Sequence, residues 1–303
     1  MADWKVGDKV GPNHRGEEHR KALTDLAPPV GAGDHAEEAK LYYRPDPQLL
    51  EAINDAIAGC MPLLLEGEAG TGKTQVAYYI QAWFDIALYE FTVKSSSTAE
   101  ELKWHMDHVG YLREANHRTD GDRKTREDFL TKGPVWRALE DPAPSVILID
   151  EIDKAQREFP NDLLHELDQA TLRHPFDNQV VIRRKCLRPP IFVITSNGER
   201  PLPEPFVRRC MRHKIELTPD MLTRAWSARS TDTARDLLAA AVDRFGEIRK
   251  RVIHKPPATG EFMSWMSYLR RRRVNAANLR SAALRELPGL RFLVKYEEDR
   301  LQL

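Results

Sequence analysis

Apolar runs and helical stretches alternate through the middle of the chain. The first run, Pro62-Leu63-Leu64-Leu65, stops abruptly at Glu66-Gly67. Leu88–Val93, Val146–Ile149, Ile191–Thr195 and Lys214–Leu217 are the next strand candidates. Short runs of this kind, without a long polar face, predict strands buried in a sheet. Ahead of the first run, Leu49, Leu50, Ile53 and Ile57 recur at helical spacing, and between the runs Gln75–Trp83 and Asp162–Gln169 also read as helices. Strands alternating with helices predict an α/β fold, a three-layer αβα core around a parallel sheet. After Pro219 the strand signals end. Ser230–Phe245, Glu261–Leu269 and Asn275–Leu287 read as amphipathic helices, the first with Ser230 or Thr231 as N-cap. The expected organisation is an N-terminal arm (1–40), an α/β domain (41–218) and a small all-α domain (219–303). The arm is expected to be loosely ordered, because residues 1–40 mix Gly, Pro and charge with little periodicity.

Composition removes some function classes. No stretch of 18 uncharged apolar residues occurs, so no membrane span is expected. The opening residues lack the apolar segment of a signal peptide, and Cys60, Cys186 and Cys210 form no CxxC pair. A reducing cytoplasm is the expected setting. Ten histidines fall in no metal-ligand spacing. The net charge of zero conceals a division. Residues 1–205 hold 25 Lys and Arg against 35 Asp and Glu, and residues 206–295 hold 20 against 8. A basic C-terminal region fits a nucleic-acid surface or complementary packing against the acidic part. We favour packing, since the basic residues are not interleaved with aromatic stacking positions, so nucleic acid is not the expected partner.

The strongest chemical signal follows the first strand. Gly67-Glu68-Ala69-Gly70-Thr71-Gly72-Lys73-Thr74 fits G-x-x-x-x-G-K-[ST] and leads into a helix beginning near Gln75. Glycines there let backbone N–H groups curl around phosphate oxygens, and the helix start adds positive potential. Lys73 is expected to reach the β- and γ-phosphates of ATP, and Thr74 to ligate Mg²⁺. These features define a P-loop NTPase core. Val146-Ile147-Leu148-Ile149 ends in Asp150-Glu151, two carboxylates at the C-terminal end of a buried strand. Ligand crevices lie at that edge of a parallel sheet. Asp150 is the expected Mg²⁺-side carboxylate, Glu151 the expected base for the attacking water, and Asp153 a helix cap. Ile191–Thr195 leads into Ser196-Asn197, where Asn197 either contacts the attacking water or γ-phosphate, or simply turns the chain before Gly198. Arg208 and Arg209 end a short helical segment; they are either a solvated basic helix end or a source of transition-state charge.

Together these residues resemble the AAA+ ATPases, and within them the MoxR branch, over roughly Tyr42 to Trp265. The strings EGEAGTGKT, FTVKSSSTAEEL, GPVWRAL, ILIDEIDKAQREFPNDLLHELD, ITSNGERPLPEPFVRRC and KPPATGEFMSWM carry the resemblance. VKSSSTAEEL is similar to MoxR-type ATPases that neighbour von Willebrand A-domain partners in bacterial conflict systems. The resemblance implies a helical lid after the core and assembly as a homo-oligomeric, commonly hexameric, ring. By position, Lys73 and Thr74 match Walker A, Asp150 and Glu151 Walker B, and Asn197 sensor 1. Arg209 matches the arginine finger, with Arg208 the alternative. Tyr42 and Tyr43 match the adenine-side entry to the core. Two inserted hairpins are implied, within about 104–132 and 171–188. The lid departs from the pattern: Gly260 stands where related lids place a sensor-2 arginine, so either Arg251 or the Arg270–Arg273 run substitutes, or nucleotide sensing by the lid is weak.

These readings lead to an ATP-hydrolysing, chaperone-like remodeller of an unidentified partner protein. The alternatives are a slow nucleotide-dependent switch that licenses an effector, and a DNA-directed ATPase.

Overall fold

The computed structural model describes residue 43 and residues 45–116, 124–163, 171–177, 179–229 and 235–303. The expected arm, Tyr42, the Ser230/Thr231 cap and most of the Asp162–Gln169 helix lie outside those residues. Asp46 caps helix α1 (Pro47–Gly59) by accepting a hydrogen bond from Leu49 N at 2.8 Å. Strand β1 (Leu63–Glu66) follows, then α2 (Lys73–Phe84) and β2 (Ala87–Thr92). Next come β3 (Trp104–Met106), α3 (His108–Asn116), β4 (Leu130–Lys132), α4 (Pro134–Glu140) and β5 (Ser145–Asp150). The α/β part continues through α5 (Phe159–Asp162), β6 (Thr171–Arg173), β7 (Val181–Arg183), β8 (Ile191–Ser196), α6 (Glu204–Val207) and β9 (Met211–Lys214). β3 pairs antiparallel with β4, and β6 with β7.

The main sheet is parallel throughout, with five strands in the order β2-β5-β8-β1-β9. Its three central strands show why aliphatic runs form it. Successive side chains of a strand point to opposite faces. Leu63, Leu65, Val146, Leu148, Ile191 and Val193 therefore pack with α1 and α2 on one face. Leu64, Ile147, Ile149, Phe192 and Ile194 pack on the other, against Val135, Trp136 and Leu139 of α4. Each such side chain contributes about 1.5–3 kcal/mol by leaving water. β9 corrects the expectation of Lys214–Leu217: it spans Met211–Lys214, beside β1. As an edge strand it is covered on one side only. Met211 and His213 are half-buried while Arg212 and Lys214 are exposed, so no apolar run marks it.

The C-terminal part contains α7 (Pro219–Arg229), α8 (Arg235–Arg251), α9 (Thr259–Arg271), α10 (Ala276–Ser281), α11 (Leu290–Leu293) and α12 (Glu297–Leu301). Its own core gathers around Phe245, Phe262, Trp265, Met266 and Leu269. The expected Asn275–Leu287 helix is broken. α10 ends at Ser281, Ala282 and Ala283 are extended, and a 3₁₀ turn follows at Leu284–Glu286. The break turns Leu284 and Leu287 into that core alongside Leu279.

Candidate functional site

Residues 67–74 form the phosphate loop between β1 and α2. Gly67 N donates to Ser196 O at 3.2 Å, fixing the start of the loop against β8. Two close approaches require glycine. A Cβ on Gly67 would lie 2.4 Å from Ile215 O, and one on Gly70, where φ is +77°, would lie 2.9 Å from Ala258 Cβ. Lys73 opens α2 and is 5% exposed. Its Nζ donates to Gly67 O and Glu68 O, both at 2.8 Å. Burial lowers the Lys73 pKa, against the pull of Asp150, Asp153, Glu151 and Glu68.

Asp150 and Glu151 end β5. Thr74 Oγ1 donates to Asp150 Oδ1 at 2.9 Å, and Thr195 Oγ1 donates to the same oxygen at 2.6 Å. Thr195 Oγ1 also accepts from Glu151 N at 2.8 Å. That bond supports an uncommon backbone, because Glu151 is left-handed at φ 60° and ψ 49°. Both Glu151 carboxylate oxygens are engaged. Lys154 Nζ lies 2.5 Å from Oε2, and Asn197 Nδ2 donates to Oε1 at 3.0 Å. Lys154 first, then Asn197, hold the Glu151 pKa below the usual carboxylate range despite partial burial.

Asp153 corrects its expected role as a helix cap. It is 2% exposed and accepts from Asn197 N at 3.1 Å and Glu199 N at 2.9 Å. A buried carboxylate must find donors, and here they come from the loop after β8. Asp153 thereby fixes the Asn197 backbone while Glu151 fixes its side chain.

Residues 69–75, Asp150, Glu151, Thr195 and Asn197 line one cavity of about 530 Å³. Tyr43 lines it too, its ring 5.8 Å from that of Tyr79, and burial raises its hydroxyl pKa. Gly67 and Glu68 are not among the lining residues. Arg208 and Arg209 stay outside this cavity. Both are exposed; Arg208 pairs with Glu204, and Arg209 Nη1 donates to Pro205 O at 3.0 Å.

The C-terminal part closes the cavity with Thr259, Gly260, Met263 and Ser264 of α9. A Cβ on Gly260 would meet nothing within 4 Å. The suggested substitutes for an arginine here do not reach the cavity. Arg251 is exposed at the end of α8, and Arg270, Arg271 and Arg273 line a separate cleft with Trp226 and Ser267. Arg249, which sequence reasoning did not single out, is the cation that touches the loop: its Nη2 is 2.6 Å from Glu68 Oε2. Thr195 and Lys154 were also missed. A threonine two residues before Asn197, at the end of an apolar strand, was the available signal for the first.

The donors suit Mg²⁺. A threonine hydroxyl and a carboxylate oxygen meet at 2.9 Å, and hard oxygen ligands are what that ion takes. Among the described residues no group of three or more His, Cys, Asp or Glu is assembled. No helix among them is long and apolar enough to cross a membrane.

Residues 62–210, just under half of the chain, match the family model of the AAA domain (dynein-related subfamily). That segment runs from β1 to the residue before β9 and includes the phosphate loop, Asp150, Glu151 and Asn197. The sheet is thus the AAA form of the P-loop NTPase fold. No curated protein matches the chain. Among solved structures, the FIGL-1 AAA domain in complex with ADP is similar at 15% identity and a TM-score of 0.44, over 88% of this chain and 82% of that one.

Proposed function

We propose that this chain, with an AAA domain at residues 62–210, binds Mg·ATP in the 530 Å³ cavity and hydrolyses it to ADP and phosphate. One observation carries the reading. Thr74 and Asp150 meet directly, with Lys73, Glu151 and Asn197 lining the same cavity. In this reading the phosphate loop cradles the β- and γ-phosphates, and Lys73 exchanges its carbonyl partners for phosphate oxygens. Thr74 and Asp150 would hold Mg²⁺, which when bound offsets phosphate charge. Glu151 orients a water and accepts its proton, while Asn197 aligns the same water or the γ-phosphate. Tyr43 borders the adenine.

Beyond the single chain, we read the protein as a MoxR-like, chaperone-like remodeller working as a homo-oligomeric ring. The exposed Arg209, or Arg208, would then serve the neighbouring subunit's nucleotide. A von Willebrand A-domain protein is the partner class that VKSSSTAEEL suggests. A second reading, the slow switch, is favoured by the engagement of both Glu151 oxygens. For water to reach Glu151, the contact with Lys154 must open. The two readings part on turnover: a remodeller's turnover rises when its partner is added.

Glu151→Gln tests the chemistry. It should retain Mg·ATP binding and lose about 10²–10⁴-fold in phosphate release, the range for removing a positioned base. Undiminished release would overturn the role given to Glu151.

A further inference from the structure

The second residue of the phosphate loop is acidic, next to where a highly anionic ligand is read to bind. Glu68 is an unhelpful residue there by charge alone, since its carboxylate would repel a triphosphate. The fold answers with Arg249, from the last turn of α8. Arg249 Nη2 meets Glu68 Oε2 at 2.6 Å across 181 residues of sequence. The guanidinium is 18% exposed, and its Nη1 donates to Pro257 O. Pro257 precedes Ala258, whose Cβ lies where a Cβ on Gly70 would come within 2.9 Å. One arginine thus holds both the second loop residue and the turn that covers the fourth. Lys73 completes the arrangement by binding the carbonyls of Gly67 and Glu68 from inside the loop.

We propose that Arg249 is a positioning residue for polyphosphate binding: it neutralises Glu68 and seats the 257–259 turn on the phosphate loop. The proposal rests on the Mg·ATP reading of the cavity. It assigns coupling between the C-terminal part and the loop to α8, eleven residues before Gly260, rather than to the open position at Gly260 itself. Arg249 acts through Glu68 and the turn, not on the nucleotide.

A double-mutant cycle on the full chain tests it, with equilibrium binding of Mg·ATP as the readout. Arg249→Ala should weaken binding roughly fivefold, as suits a partly exposed pair. Glu68→Ala alone should weaken binding less than Arg249→Ala does, because the repulsive carboxylate leaves together with the contact. In the Glu68→Ala background, Arg249→Ala should cost clearly less than in wild type, since the repulsion has gone and only the hold on the 257–259 turn remains to be lost. Amide exchange in residues 67–72 should be faster in Arg249→Ala than in wild type. Arg249→Lys keeps the charge and serves where the alanine variant does not fold; it should stay nearer to wild type. An equal loss in both backgrounds would mean that Arg249 does nothing through Glu68 and would overturn the proposal. So would unchanged binding and exchange in Arg249→Ala. Lys73→Ala separates this from the parent reading. If it binds Mg·ATP as wild type does, the phosphate-loop assignment itself fails; if it loses binding while Arg249→Ala does not, only the Arg249 proposal falls.

Discussion

One carboxylate oxygen, Asp150 Oδ1, is shared by two threonine hydroxyls, and the two do different work. Thr74 comes from the phosphate loop and is the residue read as a Mg²⁺ ligand. Thr195 is fully buried; besides donating to Asp150 it accepts from Glu151 N, so it sets the backbone from which Glu151 projects. Thr195→Val keeps the shape but removes both roles, leaving a donor and an acceptor short of a partner. Such loss costs about 1–3 kcal/mol, which urea denaturation would register. Phosphate release should fall at the same time, and Thr195→Ser should recover most of both. A variant as stable and active as wild type would show that the left-handed Glu151 needs no support from β8.

At the scale of elements, α12 is held to the turn after α8 by one side chain. Asp299 is fully buried, and its Oδ1 accepts from Ile253 N at 3.1 Å and faces His254 Nδ1 at 3.0 Å. Burial alone would raise this carboxyl, but His254 and the two backbone donors outweigh it and hold the pKa below its usual value. A depressed carboxyl stabilises the fold above its unfolded pKa of about 3.9 and loses that contribution as pH falls through the folded value. Asp299→Asn should therefore melt below wild type at pH 7, with the gap narrowing as pH drops below about 4. A gap constant with pH would remove the charge from the argument. The same contrast between local and distant partners decides what the sequence discloses. β1, β5 and β8 are readable because burial on both faces makes them unbroken aliphatic runs. β9 is not, since one wet face breaks its pattern into Met-Arg-His-Lys. Lys73, Thr74 and Asp150 stand out as candidates because their motifs are contiguous. Asp153 and Arg249 find their partners 44 and 181 residues away, and no local spacing marks such contacts; Thr195, 45 residues from Asp150, is hinted at only by its place at the end of an apolar strand.

For the whole molecule, the proposed ring makes the exposed position of Arg209 testable. A guanidinium outside its own cavity can serve only a neighbour's. Arg209→Ala and Lys73→Ala should each be inactive alone, the first still binding Mg·ATP. Mixing them creates interfaces where an intact loop faces an intact arginine, and phosphate release should return to a measurable fraction of wild type. No recovery, in rings shown to exchange subunits, would count against an in-trans arginine. The strand order has a consequence in time. β1 leaves the ribosome first among the strands of its sheet, yet both its neighbours, β8 and β9, are encoded more than a hundred residues later. Until they arrive, Leu63, Leu64 and Leu65 form a strand with two open edges, an invitation to pair with other chains. The loop that follows β1 is anchored by Ser196 and crowded by Ile215, both near the end of the α/β part. During synthesis that loop gains its supports late, so the phosphate loop is not available to steady β1 before β8 and β9 have been made.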